Sequence, residues 1–104
     1  MVNWPCVLKL EGDNELEYFK SEVEFMRECN SLILSEDDHL IDSVGQCYSL
    51  NYSSYKNIML EPLSRTYSTD EVTLLIQAHE FSKAEMCLTK IQFASVFDAI
   101  NSLS

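Results

Sequence analysis

The stretch His39-Leu40-Ile41-Asp42-Ser43-Val44-Gly45-Gln46-Cys47-Tyr48-Ser49-Leu50-Asn51-Tyr52 sets two apolar runs, 39–41 and 47–52, around a five-residue connection. Asp suits the first position of a type I turn. Gly suits the left-handed residue that closes it at a G1 bulge, where a side chain would clash. The stretch therefore reads as a β-hairpin, with Tyr48, Leu50 and Tyr52 alternating on one face of the returning strand. An antiparallel sheet follows from it.

Working outward, Trp4, Cys6, Leu8 and Leu10 fall on one face at period two, with Val7 and Lys9 on the other. The acidic turn Glu11-Gly12-Asp13-Asn14-Glu15 then leads into Leu16, Tyr18 and Phe19, which predicts an N-terminal hairpin turning at Gly12. Ser21-Glu22-Val23-Glu24 has the capping-box pattern and predicts a helix over 22–29, its acidic first turn favoured by the helix dipole. Leu32-Ile33-Leu34 suits a strand, and Glu36-Asp37-Asp38 a charged loop. Residues 53–67 are poorly legible: 58–60 is strand-like, and Pro62 forbids a regular helix.

Ser68-Thr69-Asp70-Glu71 is a second capping box. Val72, Leu75, Ile76 and His79 behind it keep helical spacing, and with Leu74, Ala78 and Phe81 also apolar they predict a central core helix of about fourteen residues. Residues 86–93 alternate as a strand does, and Ser95-Val96-Phe97-Asp98 starts a last helix whose stripe is Val96, Phe97, Ile100 and Leu103. The fold class is α+β: mainly an antiparallel sheet of four or more short strands, with three helices packed on one face. A parallel βαβ unit is open only around the long helix and the 86–93 strand.

The length of 104 residues suits one domain, spanning 1–104, and a hydrophobic content of 46% suffices for a core. No apolar run reaches the roughly 18 residues of a membrane span, and the N-terminus lacks a secretory pattern, so a cytoplasmic location is expected. The formal net charge is -10. Residues 1–52 hold eleven Asp/Glu and three Lys/Arg (net -8), and residues 53–104 hold six and four (net -2). Such a surface repels nucleic-acid phosphates and anionic lipid and attracts cationic surfaces. Neither direct nucleic-acid binding nor membrane association is expected.

The four cysteines, Cys6, Cys29, Cys47 and Cys87, lack the C-x-x-C spacing of metal and redox sites and read as reduced, buried small hydrophobes. The two glycines are isolated, which excludes the phosphate-cradling loops and the G-x-S-x-G elbow. The acidic loops offer oxygen ligands without EF-hand spacing, so no metal and no cofactor is expected. His39, beside acidic residues, reads as solvated.

Two functional classes follow. In the first, the chain is a non-catalytic acidic interaction module whose surface carboxylates Asp13, Glu15, Glu36, Asp37 and Asp38 engage a basic protein partner; a DNA mimic is its sharper form, and acidity for solubility its plain alternative. In the second, it is a small enzyme or ligand binder. His79 and Cys87, eight positions apart across a helix and a following strand, would then form a thiolate-imidazole pair in a pocket. Against that stands His79 as a core histidine with one hydrogen bond.

Trp4-Pro5, Gly12-Asp13-x-Glu15-Leu16, Leu40-Ile41-Asp42-Ser43-x-Gly45-Gln46, and Gln77-Ala78-His79 with Cys87-x-x-Lys90 together resemble a small bacterial family of about this length that carries only a domain-of-unknown-function label. The resemblance spans nearly the whole chain. It implies a bacterial, cytoplasmic single domain and brings no catalytic residue, substrate or partner with it.

Overall fold

A computed structural model describes residues 2–10, 12, 15–29, 37–52, 58–83 and 92–104. The described elements run β1 (Cys6–Lys9), β2 (Leu16–Phe19), α1 (Glu22–Cys29), β3 (His39–Ile41), β4 (Gln46–Tyr52), β5 (Ile58–Thr66), α2 (Thr69–Lys83) and α3 (Val96–Asn101). The strands form one sheet in the order β2-β1-β3-β4-β5, and every described pairing is antiparallel. The α+β class is as the sequence predicts. The expected strand at 32–34 and most of that at 86–93 lie outside the described residues.

Alternation along the strands divides the core between the two sheet faces. Tyr18, Val7, Ile41 and Cys47 stand opposite one another in register and belong to one cluster, which Val72 and Ile76 of α2 and Val96, Ala99 and Ile100 of α3 cover. Cys6, Leu8, Phe19, Leu40, Tyr48 and Leu50 point the other way and pack on Phe25 and Met26 of α1 with Val2 and Trp4. The expectation of three helices on one face is thereby corrected. β1 is apolar on both faces, and burying both requires cover on both. Phe25 fills the second cover, stacked edge-on against Phe19 at 5.2 Å between ring centroids.

The hairpin turn is the bulged type I form. Gly45 N donates to Asp42 O (3.0 Å), Asp42 N donates to Gln46 O (3.0 Å), and Gly45 sits at φ +88. A Cβ there would collide with the Tyr67 carbonyl oxygen. Tyr67 N donates to Gly45 O at 2.7 Å, so the turn also anchors the entry to α2.

β5 extends well beyond the predicted 58–60 and runs straight through Pro62, which stands opposite Tyr48. It is an edge strand, where the missing proline N–H leaves no neighbour unpaired. The register shifts between Gln46 and Tyr48, and the Gln46 amide bridges that irregularity by donating to Cys47 O (2.9 Å) and Leu63 O (2.6 Å).

The Ser68 box is reciprocal: Glu71 N donates to Ser68 Oγ (3.2 Å) and Ser68 N to Glu71 Oε1 (3.0 Å). The Ser21 box differs by one residue, for Glu24 Oε2 accepts from Lys20 N (3.2 Å) rather than from Ser21 N. Ser95 caps α3 by accepting from Asp98 N at 3.1 Å. Two predicted core residues are exposed instead, Leu74 at 64% and Phe97 at 46%, and Ala99 takes the buried place on α3. In a helix this close to the sheet the buried stripe is narrower than the apolar sequence pattern.

Candidate functional site

The predicted acidic surface is partly regrouped. Glu15 and Asp37 are exposed as expected, Asp13 and Glu36 lie outside the described residues, and Asp38, one position before β3, is buried at 5% exposure. Asp38 is thus a structural carboxylate rather than part of a contact surface. Gly12 has φ +78 with nothing within 4 Å of an added Cβ, as an open turn requires.

The sheet edge gathers other carboxylates that the sequence reading did not single out. Glu17 on β2 stands opposite Leu8, whose cluster is the one α1 covers, so Glu17 projects to the α1 side of the sheet. Glu22 and Glu28 are exposed on α1 itself, and Glu15 immediately precedes β2. Lys20 and Arg27 are the basic residues of this unit. Val23, also on α1, is 73% exposed. The period-two position of Glu17 and the helical run 22–29 were the available signals, but only the packing of α1 on that face brings them together.

Of the second candidate pair, Cys87 lies outside the described residues. His79 is buried on α2, and its Nδ1 accepts from Leu16 N at 2.8 Å. An Nδ1 that accepts a backbone N–H carries no proton, so the ring is the neutral Nε2–H tautomer. Its Nδ1 lone pair is committed to holding α2 on β2, which is the work of a core histidine.

Cys6 and Cys47 are buried free thiols. Burial pushes both upward in pKa, with Asp42 adding to it at Cys6; at Cys47 the rise is to about 11 and Arg65 opposes it. Neither is a ready nucleophile, because the thiolate is the reactive form. Among the described residues no group of three or more His, Cys, Asp or Glu is placed to hold a metal ion.

Two polar constellations were not predicted. Asp42, fully buried, accepts from Val44 N (3.0 Å) and Gln46 N (2.9 Å) at Oδ1, and from Asn3 N (3.1 Å), Asn3 Nδ2 (3.3 Å) and Tyr48 Oη (3.4 Å) at Oδ2. Ser43 joins the same staple, its N donating to Asn3 O (2.9 Å) and its Oγ to Pro5 O (2.6 Å). The turn that reads as a local feature thus ties down the N-terminal segment, whose Trp4-Pro5 bond is cis.

The second constellation is centred on His39, which is half-buried against Tyr67 rather than solvated. Its Nε2 lies 3.1 Å from Tyr67 Oη and its Nδ1 3.4 Å from Asp37 O. A carbonyl only accepts, so Nδ1 holds the proton and Tyr67 donates to Nε2. The Arg65 guanidinium stacks over the Tyr67 ring at 4.2 Å.

Fold and surface together define a small α+β domain with an acidic edge and helices on both faces of a five-strand sheet. The family model DUF4144, described as a protein structure with unknown function, matches residues 4–103, and the chain belongs to that family. It is similar to the NMR structure of a protein from Shewanella Amazonensis, at 28% identity and a TM-score of 0.73, covering 99% of this chain and 88% of that one. No curated protein matches the chain. Among the described residues no helix is long and apolar enough to cross a membrane.

Proposed function

We propose that this protein is a non-catalytic, cytoplasmic interaction module that presents its acidic edge to a basic surface on a protein partner. One observation carries the reading: exposed Glu17 of β2 projects to the sheet face that α1 covers, and α1 carries exposed Glu22 and Glu28, with exposed Glu15 immediately before β2. Carboxylates of one sign gathered on one face steer a cationic partner surface toward it. The structural engagement of His79 Nδ1 supports this reading over the enzyme alternative.

The test is capture of partners from lysate at low and high salt, with wild type and with Glu15, Glu17 and Glu22 all changed to Lys. A partner held through the acidic edge is lost at high salt and in the reversed variant. Undiminished capture in both cases contradicts the proposal.

A further inference from the structure

Strand β2 is an edge of the sheet, and two of its outward N–H groups are already taken. Leu16 N donates to His79 Nδ1 at 2.8 Å, and Lys20 N, just past the strand, donates to Glu24 Oε2 at 3.2 Å. Neither N–H therefore points at β1. In an antiparallel pair alternate residues turn their backbone groups to alternate sides, so Glu17 and Phe19 serve the ladder to Leu8 and Cys6. Tyr18, midway between Leu16 and Lys20, turns its N–H and C=O outward. Among the described residues no acceptor meets that N–H.

The opening is one residue wide, and the two sheet faces beside it differ. Glu17 is exposed and projects to the face that α1 covers, with no ion-pair partner among the described residues. Tyr18 projects to the other face, half-buried against the cluster under α2 and α3. A strand laid along this edge meets a carboxylate with the side chains on one of its faces and an aromatic ring with those on the other. A second copy of the chain does not suit the edge. A twofold pairing about Tyr18 would set the two Glu17 carboxylates at diagonal positions on one face, and like charges across a strand pair repel. The opposite edge of the sheet, β5, is blunted against such pairing by Pro62 and the register shift beside it.

We infer that the β2 edge receives an extended, basic segment of the partner by strand addition, with Tyr18 exchanging both backbone hydrogen bonds with one residue of that segment. This residue lays an apolar side chain beside the Tyr18 ring, and its two neighbours present Lys or Arg to Glu17 and the α1 face. One backbone pair is a weak hold by itself, so charge supplies the attraction and Tyr18 sets the register. The inference rests on the acidic-edge reading and adds to it the form of the partner, an extended chain in which basic and apolar residues alternate.

The test titrates the full chain with a peptide of about nine residues in which Lys and Val alternate, and with the same peptide N-methylated at every Val, which keeps the charge and removes the N–H groups that pair in this register. Backbone amide NMR signals and hydrogen exchange are the readouts. Strand addition predicts that the unmethylated peptide saturates and protects the Tyr18 amide from exchange, while the methylated one binds at least about tenfold more weakly. Glu17→Lys is expected to weaken the unmethylated peptide to a similar degree. Equal binding of the two peptides, lost at high salt, overturns strand addition and leaves the acidic-edge reading standing. Binding of either peptide that is indifferent to salt and to Glu17→Lys sinks both. Absence of binding by both peptides, or protection of Tyr18 that rises with protein concentration before any peptide is added, also overturns the inference, the last by making a second copy the occupant.

Discussion

His79 Nδ1 accepts the backbone N–H of Leu16 at 2.8 Å, joining α2 to the start of β2 across 63 positions of sequence. Removing the ring leaves that buried donor unpaired and opens a void beside Leu16. His79→Ala is therefore expected to lower stability by about 2–4 kcal/mol. His79→Asn, whose side-chain oxygen can take the place of Nδ1, is expected to recover part of the loss. Urea melts of the three proteins check the order, and equal midpoints for Ala and wild type would remove the structural role.

Gly45 and Gly12 both have positive φ, yet they predict different costs. Gly45→Ala must accept a left-handed backbone and displace the Tyr67 carbonyl, so it is expected to cost more than about 2 kcal/mol. Gly12→Ala meets open space and is expected to cost about 1 kcal/mol, for conformation alone. The difference between the two melting midpoints measures the collision.

Asp42 accepts five hydrogen bonds while wholly buried. Asp42→Ala orphans donors from Asn3, Val44, Gln46 and Tyr48 together, and is expected to destabilise the domain by more than about 3 kcal/mol. Hydrogen exchange adds a local signature: the amide of Asn3 should lose protection in any Asp42 variant that remains folded.

Burial, more than any other cause, holds the His39 imidazole below its ordinary value of 6.5, with Arg65 and Lys9 acting the same way and the Asp37 carbonyl and Asp38 opposing. The unfolded chain thus binds this proton more readily than the folded one. Stability from His39 is present in full above about pH 6.5 and is lost as pH falls from there through the folded pKa. Denaturant midpoints at about pH 7.5 and about pH 5.5 should fall further in wild type than in His39→Gln. Equal falls would place the ring in a water-like setting.

Elements carried by local chemistry were legible in the sequence. Asp42 and Gly45 define their turn, Ser68 with Glu71 and Ser21 with Glu24 mark helix starts, and the alternation of Cys6, Val7 and Leu8 marks a strand. What the sequence hid is what packing decides. β1 carries apolar residues on both faces, and nothing local says that α1 will cover one face while α2 and α3 cover the other. Pro62 suppressed a long strand because its edge position cannot be seen before the sheet is assembled. For the same reason Glu17 and α1 could not be placed together, and Asp38 looked like a surface charge. His79 was readable as a core residue from its spacing; its partner Leu16 was not.

On the proposed reading a located patch of charge, and not acidity in general, makes the contact. The direct measurement is the association rate of a captured partner as a function of ionic strength, compared between two variants of equal net charge. One carries Glu15→Lys, Glu17→Lys and Glu22→Lys; the other carries three reversals elsewhere, at Glu61, Asp70 and Asp98. The first is expected to lose at least about tenfold in rate at low salt and most of its salt dependence, while the second stays close to wild type. Equal losses in the two variants would show that only net charge matters and would contradict an interaction surface on the β2–α1 edge.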